Sequence, residues 1–134
     1  MVQFFAIHPD NPQSRLLRQA ISIAVDYEEY ISIFLNGRGE PAHGPIPPQI
    51  FGHKTKETGV NPYVYSWKKG KAHRKPLAYA FQLLDQAGYK HGVDKNTGKP
   101  LILFFDAVGT GADAKSSLNW LRKQFRKLGI QLVI

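Results

Sequence analysis

Three features of the 134-residue chain predict an α/β fold that ends in a parallel β-α-β unit. Leu101 to Phe105 is an unbroken apolar run, as expected of a strand covered on both faces of a parallel sheet. The next stretch carries Leu118, Leu121, Phe125 and Leu128 at helical spacing and stops at Gly129, before a second apolar run from Ile130 to Ile134. Strand, helix and strand in that order make a right-handed crossover. Upstream, Leu17, Ala20, Ile21 and Ala24, then Tyr27, Tyr30, Ile31 and Phe34, give two successive helices, each with one apolar face.

In chain order, Val2 to Ile7 reads as a short buried strand, closed by the turn former Pro9-Asp10-Asn11-Pro12. Ser14 is placed to cap the first helix. Asp26 can accept from the backbone N–H of Glu29 while Glu29 reaches back to Asp26, the reciprocal arrangement that starts a new helix, so the chain bends at Asp26. Asn36-Gly37 tolerates the left-handed conformation that ends the second helix. Residues 38 to 74 hold most of the prolines and show no sustained period, and they read as a long Pro/Gly-rich arm within a single domain of 134 residues. Phe51, Tyr63, Tyr65 and Trp67 are its own packing residues. Leu77, Ala80, Phe81, Leu84 and Ala87 form a third helical stripe, ended by Gly88, where the absent Cβ permits positive φ. Pro76 suits the first turn of that helix.

Composition narrows the chemistry. Hydrophobic residues at 43% with interspersed charge argue against a disordered chain, and no apolar run approaches the ~20 residues that span a bilayer. There is no cysteine, hence no disulfide and no thiolate chemistry. The net charge of +8 favours anionic partners and concentrates at Lys54 to Lys75 and at Arg122, Lys123, Arg126 and Lys127. A loop from Gly109 to Ser116 has P-loop spacing, but Ala114 stands where the backbone must close around phosphate, so it reads as an ordinary turn into a helix. His8, His43, His53, His73 and His91 form no metal-ligand spacing, and neither a metal nor another cofactor is expected. No carboxylate pair or nucleophile motif stands out, and no enzyme is predicted. The basic, aromatic-interleaved segment Tyr63 to Lys75 has the ingredients of single-strand binding without an RRM or KH signature, which makes a small basic nucleic-acid-binding domain the alternative function.

The string RQAISIAVDYEEYI, the later GEPAHGPIPP at Gly39 to Pro48, AFQLLDQAGYKHG at Ala80 to Gly92 and the terminal GIQLVI resemble, in this order, the second lobe of the family 5 (peptide-binding) solute-binding proteins of bacterial ABC importers. The resemblance implies a periplasmic-binding-protein-like lobe, present in part: strand-helix-helix, long arm, helix, then the β-α-β unit. It also implies capture of short peptides or related solutes in a cleft between two lobes, delivery to an ABC permease, and a periplasmic or lipid-anchored extracytoplasmic location. Nucleic acid is not expected as a partner on this reading.

The ligand-facing candidates carried by the resemblance are His8 and Asn11 near the first strand, and His43, Gly44, Pro45 and Pro47 in the proline-rich turn Ala42 to Pro48. Arg18 matches the family's arginine and is expected to brace the helix pair, with Asp26, Gly88 and Gly129 as further structural positions. Ile7-His8 stands where the family commonly has an Asn, and Lys75-Pro76 replaces its usual Asp-Pro or Asn-Pro. A lone part of a lobe lacks half of the cleft, so the chain is expected to bind very weakly or not at all by itself. Sheet edges that a first lobe would otherwise cover are expected to drive self-association as a homodimer.

Overall fold

The computed structural model describes residues 12–109 and 111–134. The expected first strand, with His8 and Asn11, lies outside the described residues. Two compact units divide the chain: residues 26–76 form one, and the segments that flank them in sequence, up to Val25 and from Leu77, form the other.

In the flanking unit, helix α1 (Pro12–Ala24) packs against helix α3 (Leu77–Gln86). Ala20 on α1 and Ala80 on α3 are both fully buried. Leu17, Ile21, Ile23 and Leu84 fill the space around them. The helix begins two residues before Ser14, at Pro12, whose missing N–H costs nothing in a first turn. Ser14 is therefore inside the helix rather than at its cap, and its buried Oγ has no partner among the described residues. On α3 the buried face is Ala80, Leu83, Leu84 and Ala87, rotated from the expected stripe so that Phe81 is 39% exposed.

Strands β3 (Ile102–Phe104) and β4 (Gln131–Val133) pair in parallel, Ile102 opposite Gln131, and helix α4 (Ala112–Arg126) connects them. Trp120, Leu121 and Phe125 supply the apolar face of α4, and Leu128 is buried just after it. Gln124 is also buried and accepts from Lys127 Nζ at 2.5 Å, which removes the cost of placing an amide there. The sheet differs from the expected one in burial. Leu132 is buried, whereas Ile102 and Phe104, on the opposite face, are 43% and 70% exposed. Among the described residues only one face of this two-stranded sheet is covered.

Both long helices stop through glycine. After α3, Gly88 sits at φ +87°, its N–H donates to the Asp85 carbonyl and Tyr89 N–H reaches Leu84. After α4, Gly129 sits at φ +74°, its N–H donates to Arg126 and Ile130 N–H reaches Phe125. Each stop satisfies helix carbonyls that would otherwise lack a donor. Gly129 has a second constraint. Its backbone lies against His91 and Gly92, and a Cβ at either Gly92 or Gly129 would collide with the other segment's backbone.

In the unit of residues 26–76, helix α2 (Tyr27–Phe34) precedes the arm, which is not without regular structure. It contains one 3₁₀ turn at Lys56–Gly59 and a two-stranded hairpin, β1 (Tyr65–Lys68) and β2 (Lys71–Arg74). The hairpin closes through Lys69 and Gly70, both at positive φ, the backbone that matches strand twist in a two-residue turn. Helix α2 buries no residue fully. Its aromatic face instead stacks along itself, Tyr30 on Phe34 at 4.8 Å between ring centres.

Gly92→Ala and Gly98→Ala distinguish close approach from backbone freedom. Both positions have positive φ, but a Cβ at Gly98 meets open space. Left-handed strain alone should cost each variant about 1–2 kcal/mol. Gly92→Ala is expected to lose clearly more stability in urea unfolding, and equal losses would show that the contact with Gly129 does not demand glycine.

Candidate ligand-facing site

The unit of residues 26–76 contains a polar cluster assembled from three separate stretches of sequence. Asp26, at extended φ and ψ, caps α2 by accepting from Glu29 N–H at 2.9 Å. This places Glu28 in the first turn, where a carboxylate is favoured by the helix dipole. From β2, Arg74 donates through Nε to Glu28 Oε2 at 2.8 Å and through Nη2 to the Tyr65 hydroxyl at 2.8 Å. Tyr65, on β1, donates its hydroxyl proton to Glu28 Oε1 at 2.7 Å. Arg74 Nε also lies 3.8 Å from Asp26 Oδ1. One guanidinium thus ties both strands of the hairpin to the start of α2. Register explains why these residues meet: Tyr65 is paired directly opposite Arg74.

Protonation follows this geometry. Burial alone would raise the Glu28 carboxyl, but the hydrogen bonds from Tyr65, from its own backbone and from Arg74 outweigh it, and Glu28 is held below the usual carboxylate range. Tyr65 is pushed well above the ordinary phenol range, first by burial and then by its bond to the Glu28 carboxylate, against the pull of Arg74.

The proline-rich turn is anchored on this cluster. His43 stands edge-on to the Tyr65 ring, 4.7 Å between centres at 90°, and its Nδ1 is buried with no hydrogen-bond partner among the described residues. Gly44 follows with its backbone against the Gly59 carbonyl. Pro45 and Pro47 are exposed. Further on, His53 Nδ1 is 2.8 Å from the Ile46 carbonyl and must be the protonated nitrogen, since a carbonyl only accepts. The turn therefore has a held end at His43 and a solvent-facing segment from Gly44 to Pro48.

Of the positions singled out from the sequence, His43, Gly44, Pro45 and Pro47 come together in this turn, and Asp26 belongs to the cluster beneath it. Arg18 belongs to the other unit, half-buried on α1, where its carbonyl accepts from Ser22 Oγ at 2.8 Å. Glu28, Tyr65 and Arg74 carry no site role in the sequence reading, which names Tyr65 only as a packing residue of the arm. They are 37 and 46 residues apart, and the only signal available was an acidic pair in the first turn of a helix. A separate open groove of about 640 Å³ runs along β4, lined by Arg122, Arg126 and residues 129 to 133. Among the described residues no group of three or more His, Asp or Glu could hold a metal ion, and no helix is long and apolar enough to cross a membrane.

Stability should depend on pH at both ends of the range. Because Glu28 is depressed in the folded state, its contribution is present above about pH 4.5 and is lost as pH falls through its lower folded value. Because Tyr65 is raised, its contribution is complete below about pH 10 and is lost at higher pH. Glu28→Gln should flatten the acid limb and Tyr65→Phe the alkaline limb, each with a loss of about 1 kcal/mol at neutral pH, the worth of a typical hydrogen bond. Unchanged limbs in thermal melts across pH would remove the cluster from the stability of this unit.

Comparison with known proteins places this geometry in context. The model for bacterial extracellular solute-binding proteins, family 5, middle region, matches residues 1–134. Protein XP55 of Streptomyces lividans is 32% identical over 78 residues, which is 58% of this chain and 12% of that protein. Lactococcal OppA, solved closed with an endogenous peptide, is 30% identical with a TM-score of 0.64 over 88% of this chain and 21% of its own. NikA from Brucella suis, solved with Fe(III)-EDTA, is 27% identical with a TM-score of 0.63, covering 88% of this chain and 22% of that one. DppA from Helicobacter pylori, solved with the peptide STSA, is 26% identical with a TM-score of 0.59, covering 98% and 20%. The chain thus spans about a fifth of the length of these solved relatives.

Proposed function

Given that the chain belongs to the family 5 bacterial extracellular solute-binding proteins, we propose that it forms a portion of the second lobe of a two-lobed receptor, which closes around a short peptide and presents it to an ABC permease. The family match along all 134 residues carries this reading. Peptide is favoured as the solute class because two of the three solved relatives hold one, while NikA holds a metal chelate. The turn from Ala42 to Pro48 is the segment that faces the solute. His43 holds it from below, through its edge contact with Tyr65, and Gly44, Pro45 and Pro47 present backbone and ring surface with little conformational entropy left to lose. His8 and Asn11 complete the proposed contact set, and Arg18, Gly88 and Gly129 keep structural roles.

A lobe portion has half of a cleft at most, so the isolated chain should show no saturable binding of di- to pentapeptides. Titration calorimetry that finds micromolar binding would overturn the shared-cleft reading. In a receptor uniting these residues with a first lobe, His43→Ala should weaken peptide affinity about tenfold, by loosening the turn. Full affinity in that variant would remove the turn from the site.

Self-association as a dimer is part of the same proposal. The uncovered Ile102 and Phe104 form an apolar face that a second copy can bury. Light scattering should give a mass above that of one chain at high concentration, and a single-chain mass throughout would exclude the dimer.

A further inference from the structure

Residues 51–76 carry Lys54, Lys56, Lys68, Lys69, Lys71, Arg74 and Lys75 against the single acid Glu57. Arg74 is committed to the Glu28 cluster. Lys54, Lys56, Lys68, Lys69 and Lys71 are all exposed, and none has an acidic partner among the described residues. The fold concentrates them. Lys68, Lys69 and Lys71 crowd one hairpin end, where Lys68 is paired with Lys71 across the turn. The 3₁₀ turn that begins at Lys56 packs against β2, and the Lys54 carbonyl presses on Gly59 at the end of that turn. Like charges directly opposite each other destabilise a hairpin, so this arrangement has a cost that an anionic partner would relieve.

Close to Lys54 in the chain is an apolar tip. Phe51 is fully exposed and Ile50 is 57% exposed. Phe51 precedes Lys54 by three residues, a span of at most ~11 Å. The tip is folded on itself: Ile50 N–H donates to the Pro47 carbonyl, His53 N–H to Ile50, and Gly52 lies against the Ile46 side chain. The two apolar side chains are thus presented by an ordered turn.

We infer that the exposed lysines of this unit and its Phe51 tip act together as a docking surface for an anionic phospholipid bilayer. Ammonium groups attract acidic headgroups, and an aromatic and an aliphatic side chain enter the headgroup boundary between them. The same cations could meet nucleic acid. The bilayer is favoured because Ile50 offers no face on which a base can stack and, resting on the proposed function, because delivery to a permease brings the chain to a membrane surface.

The test is sedimentation of the whole 134-residue chain with vesicles, either of phosphatidylcholine alone or of equal parts phosphatidylglycerol and phosphatidylcholine. Binding is expected only to the anionic vesicles and should weaken with added salt. Replacing Lys54, Lys68 and Lys71 together by Gln should weaken it about a hundredfold, at roughly fivefold per lysine. Phe51→Ser should weaken it about tenfold with circular dichroism unchanged. The double variant Arg122→Gln/Arg126→Gln, in the other basic cluster, should bind like the parent. The proposal is overturned by absent binding, by equal binding to neutral vesicles, by an unaffected Phe51→Ser variant, by equal weakening in the arginine double variant, or by tighter binding to a single-stranded RNA oligonucleotide than to the vesicles.

Discussion

The Arg74 guanidinium is the interaction on which the unit of residues 26–76 depends. It bonds a carboxylate in the first turn of α2 and a phenol on the neighbouring strand, and it stands near the helix-capping carboxylate. This unit has few buried apolar residues, chiefly Val64 and Tyr65. With so little surface removed from water, directional bonds decide how the hairpin meets the helix. The side chain of Arg74 is 14% exposed while those of Asp26 and Glu28 are 37% and 40% exposed, so the charges remain partly hydrated and escape the full cost of burial. The proline-rich turn inherits its position from this arrangement, because His43 rests on the same tyrosine ring.

The other unit is held differently. Its core is helix on helix and helix on sheet, built from buried alanines and larger aliphatic and aromatic residues. Glycines at positive φ close α3 and α4, and the pair Gly92 and Gly129 lets two chain reversals touch through their backbones. In one unit side-chain hydrogen bonds set the geometry, and in the other close packing does. The proposed roles follow that division: the packed unit serves as scaffold, and the unit with little core presents the turn and the lysines.

Much of the fold was legible in the sequence because it rests on period and punctuation. The apolar stripes of α1 and α4, the apolar runs of β3 and β4 and the cap at Asp26 are all local signals, each readable within about a dozen residues. The hairpin at Tyr65 to Arg74 was not read. Its turn is Lys-Gly rather than Asn-Gly, and alternation in YSWK is masked by aromatic and charged residues that also suit a solvated loop. The rotation of the α3 stripe toward Leu83 was not legible either, since which side of a helix is buried depends on what packs against it.

The sequence by itself determined the α/β class, the order of most elements and the family, because these are written in short-range spacing and in motifs that keep their order. Only the tertiary structure decided that Glu28, Tyr65 and Arg74 form one cluster, that His43 leans on it, and that Lys68 stands opposite Lys71 across a hairpin. The bonds of Glu28 span 37 and 46 residues and His43 meets a ring on a strand well beyond it in sequence, and no local propensity encodes which distant side chains a strand register will place together.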